Sequence, residues 1–382
     1  MKKILLTTVA LLSMASAQVF GMYGVDSDWI DFLTHGNQFR ARLETLGFTL
    51  GNDTIKGTFG FDSPATTLGN LFSSGGELGE DWYPNISAGI GYTSSAISVG
   101  VGYNISITGS WRGVDGKAHR QAAHTPVLVL NAMDNAFRMA IPIQVFATKD
   151  IATVNGGNLL PESGATSTNS LTAVSLDPQF RYYTGLDFLP QIRLLLYYGH
   201  YESEVKTADN TTTGKADSFG FQFRLYFGSM VEDVSLNPIL RITYKTALDK
   251  NGNTDIKAVN VARGTSITTS GNTDKEAYSL LIRPSLGLTA NSDIVSLYLE
   301  PYLGYLITED GYNNTKLQHN LDYGVYGEIY ITPIKNLEWY FEAELGNYLD
   351  GTTLNGQRYD GVSKRGLGFN ASTGITWYLP AL

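Results

Sequence analysis

Along most of the chain, apolar residues alternate one by one with small or polar ones. Ile86, Ala88, Ile90 and Tyr92 interleave with Ser87, Gly89, Gly91 and Thr93. After Ser94-Ser95 the alternation resumes. Ile97, Val99, Val101, Tyr103, Ile105 and Ile107 now stand against Ser98, Gly100, Gly102, Asn104, Ser106 and Thr108. A period of two belongs to a strand with two unlike faces, and a two-residue connection makes the pair a hairpin. The stretch 82–111 carries no Asp, Glu, Lys or Arg, yet its period is wrong for a membrane helix.

The same layout predicts fourteen strands, over 46–61, 84–93, 96–108, 125–132, 137–148, 171–183, 190–201, 218–228, 234–247, 277–290, 294–308, 320–332, 337–349 and 366–379. Their connections alternate in length. Short ones fall at 94–95, 133–136, 184–189, 229–233, 291–293 and 333–336. Long ones, rich in Gly, Asn, Thr, Asp and Ser, fall at 62–83, 109–124, 149–170, 202–217, 248–276, 309–319 and 350–365, and read as solvated and extracellular. Short turns on one side, long loops on the other and an even strand number describe a transmembrane antiparallel β-barrel of the outer membrane. Many of these strands exceed the roughly five or six residues usual in soluble sheets. A tilted membrane strand needs about nine to eleven. Tyr83, Tyr92, Tyr103, Trp111, Tyr198, Tyr305, Trp339 and Tyr378 sit near strand ends on the apolar phase, as interfacial girdles do.

The first strand is preceded by Trp29, Ile30, Phe32 and Leu33, then Phe39, Leu43 and Leu46, spaced at three and four. That spacing predicts a helix over 27–46, with Ser27 able to cap its start. A split of 36–61 at Gly51-Asn52-Asp53 would give fifteen strands and break parity, so one long first strand is preferred. The division is a partly helical periplasmic or plug segment over 18–45 and a barrel over 46–382.

Placing the more apolar phase toward lipid turns the charges inward. Leu337, Trp339, Phe341, Ala343 and Leu345 face out, so Glu338, Tyr340, Glu342 and Glu344 face in. Leu299 and Ile329 face out, so Glu300 and Glu328 face in. Arg138, Arg181, Arg193, Arg224, Arg241, Lys245 and Arg283 fall on the inward phase of strands 5 to 10. The wall is therefore expected to be basic over strands 5–10 and acidic over 11–13. Two readings stay open. The arcs face each other across water, as in a porin eyelet, or the charges pair across adjacent strands, Arg283 with Glu300 for example, and seal the wall.

Export and composition narrow the classes. Lys2-Lys3, the apolar run 4–14 and Ala15-Ser16-Ala17 read as a signal peptide over 1–17. The absence of cysteine removes disulfide frameworks, thiolate metal sites and cysteine nucleophiles. A net charge of -9 argues against nucleic acid as a partner. Gly89/Gly91 and Gly100/Gly102 read as small inward residues, not a phosphate cradle. His200 is the one histidine expected on the outer face, with no serine beside it. The run Asp249 to Asp255 resembles a calcium loop, but its glycine stands at position 4 instead of 6 and position 12 is Asn260, so a plain polar loop is favoured. No catalytic residue, metal site or cofactor is expected.

The stretches MKKILLTTVALLSMASAQVFGMYG, DSDWIDFLTHGNQFRARLETLGF and GNDTIKGTFGF resemble the variable surface proteins of Serpulina/Brachyspira-type spirochaetes. The resemblance spans 1–61 most specifically and implies an abundant outer-membrane surface antigen whose loops differ between copies. It brings no catalytic residues. The chain ends Trp377-Tyr378-Leu379-Pro380-Ala381-Leu382, without the terminal Phe of many barrel insertion signals. The expected function is a surface-exposed barrel with porin-like passive diffusion of small solutes. The alternative is a closed-barrel antigen or adhesin. Expected partners are outer-membrane lipid and host molecules or antibodies at the loops; homo-oligomerisation stays open. The leader reading is checked by Edman sequencing of protein from the outer membrane, which should start at Gln18.

Overall fold

The computed structural model describes residues 23–24, 28–42, 45–62, 84–112, 118–153, 167–231, 234–347 and 368–380. The leader expected at 1–17, and most of the loops expected at 62–83, 149–170 and 350–365, lie outside the described residues.

Alternation becomes sheet throughout. The strands are Gln38–Arg42 (β1), Thr45–Gly51 (β2), Ile55–Asp62 (β3), Asn85–Tyr92 (β4), Ile97–Arg112 (β5), Ala118–Ala132 (β6), Phe137–Thr153 (β7), Ser167–Leu176 (β8) and Gln179–Tyr183 (β9). There follow Gln191–Thr207 (β10), Thr211–Tyr226 (β11), Ser229–Val231 (β12), Val234–Ala247 (β13), Tyr278–Asn291 (β14), Val295–Glu309 (β15), Gln318–Ile334 (β16), Leu337–Gly346 (β17) and Gly368–Tyr378 (β18). β8 and β9 share one place between β7 and β10, interrupted at Asp177-Pro178, where proline cannot donate to the ladder. β11 and β12 likewise share one place beside β13. β1 pairs with β2 on one side and with β18 on the other. The result is a closed antiparallel barrel of sixteen strands.

Sixteen replaces the expected fourteen, and both additional strands come from 27–61. The helix expected over 27–46 shrinks to one 3-10 turn, Asp28–Asp31. Gln38–Arg42 is extended instead, with Phe39 opposite Trp377 and Arg42 opposite Gly374. The barrel thus begins at 38, not 46. The long strand expected over 46–61 is a hairpin. Asn52 Oδ1 accepts the backbone N–H groups of Thr54 and Ile55, both at 2.9 Å, which turns the chain between β2 and β3. Two added strands keep the number even.

Several expected loops are also strand. β10 runs to Thr207 and β11 starts at Thr211, so 202–217 holds only a tight turn. The loop 248–277 is the other exception. It folds inward and carries a short helix, Ala258–Ala262 (α1), whose Ala258, Val259, Val261 and Ala262 are buried. Ile256 and these residues pack with Ala123, Phe146, Ala173 and Ala216 of the wall. Their apolar run is too short to show a period, which is why it reads as solvated.

The two faces separate cleanly. Leu299 is 38% exposed and Tyr298 3%. Tyr92, Tyr103, Tyr198, Tyr305 and Trp339 are exposed on the outer face. Tyr378 is a correction: it lies on the phase of Thr376, and its hydroxyl donates to Glu338 at 3.2 Å. Leu299→Arg should lower barrel stability by about 2–4 kcal/mol, whereas Glu300→Gln should fold like the parent. Urea titrations of protein refolded into vesicles compare the two, and equal stability would overturn the facing.

Candidate functional site

The inner wall is the candidate site, and its first feature is a row of arginines. Arg138 of β7 is opposite Arg181 of β9, Arg181 opposite Arg193 of β10, and Arg193 opposite Arg224 of β11. Arg224 is opposite Arg241 of β13, and Arg241 opposite Arg283 of β14. Like charges directly opposite one another repel, so the row needs compensation. Stacking supplies part of it. Arg138 lies over the Tyr183 ring at 4.8 Å, Arg193 over Tyr226 at 4.8 Å and Arg283 over Tyr302 at 4.4 Å. Arg224 Nε donates to Gln222, and Arg283 Nε to Asp322. Arg283 therefore takes Asp322 as its carboxylate, while Glu300 accepts from Ser285 at 2.8 Å. Lys245 stands off the row, bound to Asp255 of the inward loop at 2.6 Å.

The acidic arc is organised by tyrosine. Glu300 accepts from Tyr298 at 2.5 Å, Glu328 from Tyr326 and from Tyr330 at 3.0 Å, and Glu344 from Tyr302 at 3.2 Å. Glu338 accepts from Tyr378. Glu342, opposite Glu328, accepts from Arg42 at 2.7 Å, Ser372 at 3.0 Å and Tyr326 at 3.3 Å. Glycines make room for Tyr298, Tyr302 and Tyr340 on this wall. A methyl group at Gly324 or Gly346 would overlap Tyr302, and one at Gly374 would overlap Tyr340. Large side chains are thereby packed along the wall, not across the bore.

Two inserted pieces occupy the opposite side of the ring. Trp29 seats against Gly89 and Gly102, and Phe32 and Leu33 against Gly91 and Gly100. Tyr23, Trp29, Ile30, Phe32 and Leu33 form a buried cluster with Val127, Val129 and Ala140. Asp31 Oδ1 accepts from Arg138 at 2.8 Å and Arg181 at 2.7 Å. Lys56 Nζ donates to the His35 carbonyl at 2.6 Å. Higher up, α1 leans on β6–β8, its first amides donating to Ser175 Oγ (3.0 Å) and Gln144 Oε1 (3.4 Å). Lys257 approaches Asp177 at 3.6 Å.

Sequence reasoning missed Asp31, Asp322, Arg42 and the role of the tyrosines. For the tyrosines a signal existed, since Tyr298-Glu300, Tyr326-Glu328-Tyr330 and Tyr340-Glu342 share a face at spacing two. For Asp31 there was none. Its partners lie 107 and 150 residues away. On the outer face three histidines appear where one was expected. Tyr103 meets His124, Tyr305 meets His319 at 2.9 Å, and Tyr198 and His200 share Asp217 at 3.0 and 2.8 Å. The run 249–255 folds on its own backbone through Asn251 and Asn253. Among the described residues no group of metal-ligating side chains assembles.

Over residues 2–378 the chain matches the family model described as Serpulina hyodysenteriae variable surface protein. No curated protein matches it. Among solved structures it is similar to the translocator domain of autotransporter NalP from Neisseria meningitidis, with 12% identity, 98% of each chain covered and a TM-score of 0.33.

The inserted segment has a calculable acid response. Burial and Arg40 push the His35 imidazole down to about 3, and its Nδ1 shares a hydrogen bond with Tyr23 at 2.8 Å. Burial alone would raise Asp31, but Arg181 and Arg138 hold it down at about 2. Both groups bind protons more readily when the segment is undocked, so docking is strongest above pH about 6.5. The His35 contribution is lost as pH falls from about 6.5 toward 3, and that of Asp31 from about 4 toward 2. Hydrogen exchange over 28–35, corrected for its intrinsic pH dependence, should quicken from pH 6.5 downward. The His35→Gln variant should stay flat to about pH 4.

Proposed function

We propose that this chain, which belongs to the family of Serpulina hyodysenteriae variable surface proteins, passes small solutes passively through its charged lumen while displaying its loops at the cell surface. Its outer-membrane-type barrel gives the means of insertion. The signal peptide over 1–17 delivers it, the short turns face the periplasm, and outer-membrane lipid is its first partner. The long loops then meet host molecules or antibodies. The protein is no enzyme in this reading and takes no cofactor.

One observation carries the pore. The basic row spans β7–β14 and the acidic arc β15–β17; they meet where Arg283 binds Asp322 of β16, while Asp31 and ring stacking serve the rest of the row and tyrosine hydroxyls and Arg42 of β1 serve the arc. A lumen whose basic and acidic groups lie mostly on separate arcs keeps a transverse field, which low-dielectric walls strengthen. The inserted segment and α1 stand on the side opposite the acidic arc. They narrow the bore toward the Tyr/Glu wall.

Those same insertions favour the second reading, a closed barrel that serves only as antigen or adhesin. Planar-bilayer recording of the purified mature chain separates the two. Stepwise conductance with ion selectivity strongest at low salt is expected, since screening reaches within about 10 Å at 0.1 M. Glu328→Gln with Glu342→Gln should shift selectivity toward anions, the basic row then being unopposed. A folded, silent barrel would leave the coat reading.

A further inference from the structure

The arginine row has a chemistry that neither pore nor coat explains. Its guanidinium groups follow one another through five successive cross-strand pairs. Planar guanidinium forks match carboxylate and phosphate oxygens, and several on one wall make a multidentate receptor for an oxyanion.

The protein already places a carboxylate there. Asp31 Oδ1 takes a hydrogen bond from Arg138 and another from Arg181, and Thr34 Oγ1 completes the Arg138 contact at 3.0 Å. The Asp31 carboxylate stands where an oxygen of a free anion would stand. A second, independent observation lies beside it. Arg181 is 2% exposed and its Nε has no hydrogen-bond partner. Gln191 is 1% exposed, sits two residues from Arg193 on the same face, and neither atom of its amide has a partner. Buried donors left unmet in this way mark a place built for an acceptor.

We propose that the arginine row is an oxyanion-binding site whose first two members are occupied by Asp31 as a tethered competitor, which a free phosphate-like anion displaces. The anion takes the donors of Arg181 and Arg193 and the Nε2 donor of Gln191. Displacement frees the segment that carries Trp29, Phe32 and Leu33 from the wall. Oxyanions are thus the solutes that open the lumen for themselves. This deepens the pore reading and rests on it for the route by which the anion arrives; binding itself does not require conduction.

The test uses the full mature chain in detergent, with inorganic phosphate as probe and chloride at matched ionic strength as control. Calorimetry should show saturable phosphate binding absent with chloride. Asp31→Asn should tighten it by about tenfold, as expected for loss of one charged competitor. Arg193→Gln should weaken it by about the same factor. In the unaltered chain, phosphate but not chloride should quicken hydrogen exchange over 28–35, which keeps the test decisive if the Asp31 variant fails to fold. Methyl phosphate and acetate arms tell a phosphate requirement from a general oxyanion one. Absence of phosphate binding, or identical binding and exchange with phosphate and chloride, overturns the proposal. Phosphate binding without bilayer current would refute the pore and leave this site standing. Current without phosphate binding would do the reverse.

Discussion

A sheet must pair the backbone N–H and C=O groups of its edges or leave them open, and this outer-membrane-type barrel closes through a seam only five residues tall. β1 offers Gln38 to Arg42 to β18 and pairs β2 with its other edge. The seam is pinned around its short ladder. Asn37 donates to the carbonyls of Gly51 and Pro380, and Arg42 crosses to Glu342. Without it β2 and β18 would present open edges, which closed barrels exist to remove. Closure is also what creates an inside, and the rest of the molecule follows from having one.

Once an inside exists, the wall must house many charges, some of them in pairs such as Arg283–Asp322 and Arg42–Glu342. Two packing devices achieve this. Tyrosines bring a hydroxyl to each lumenal glutamate named above, and Tyr302 among them lies over Gly324 and Gly346. Arginines stack on tyrosine faces, which offsets part of their mutual repulsion. Glycine pairs on β4 and β5 do a different task and form flat seats for Trp29, Phe32 and Leu33. One residue type thus thins the wall in one arc and receives an insert in another.

The inserts then set what the lumen can do. The N-terminal segment is held by a charge pair inside an apolar seat, the loop helix by its backbone amides on Ser175 and Gln144. Neither hold is covalent, and the first depends on the charges of Asp31, Arg138 and Arg181. Among the described residues, 248–277 is the long connection that enters the bore.

Alternation along the chain was enough to establish a β-barrel with an apolar outside, because side-chain direction in a strand follows from backbone geometry alone. Leu299 and Glu300 were sorted to opposite faces on that ground, and so were the arginines and glutamates of the wall. Length did not help where elements are short. Gln38–Arg42 places Phe39 and Ala41 against Arg40 and Arg42, a legible strand, but five residues are too few to outweigh a competing helical spacing. The hairpin at Asn52 suffered the same ambiguity. What only the tertiary structure decided is partnership across the ring: Asp31 with Arg138 and Arg181, Arg283 with Asp322 instead of Glu300, Ile256 and Val259 inside instead of in solvent. Those pairings join residues from 39 to 150 positions apart, on elements that are not consecutive in the chain, and local periodicity carries no information at such separations.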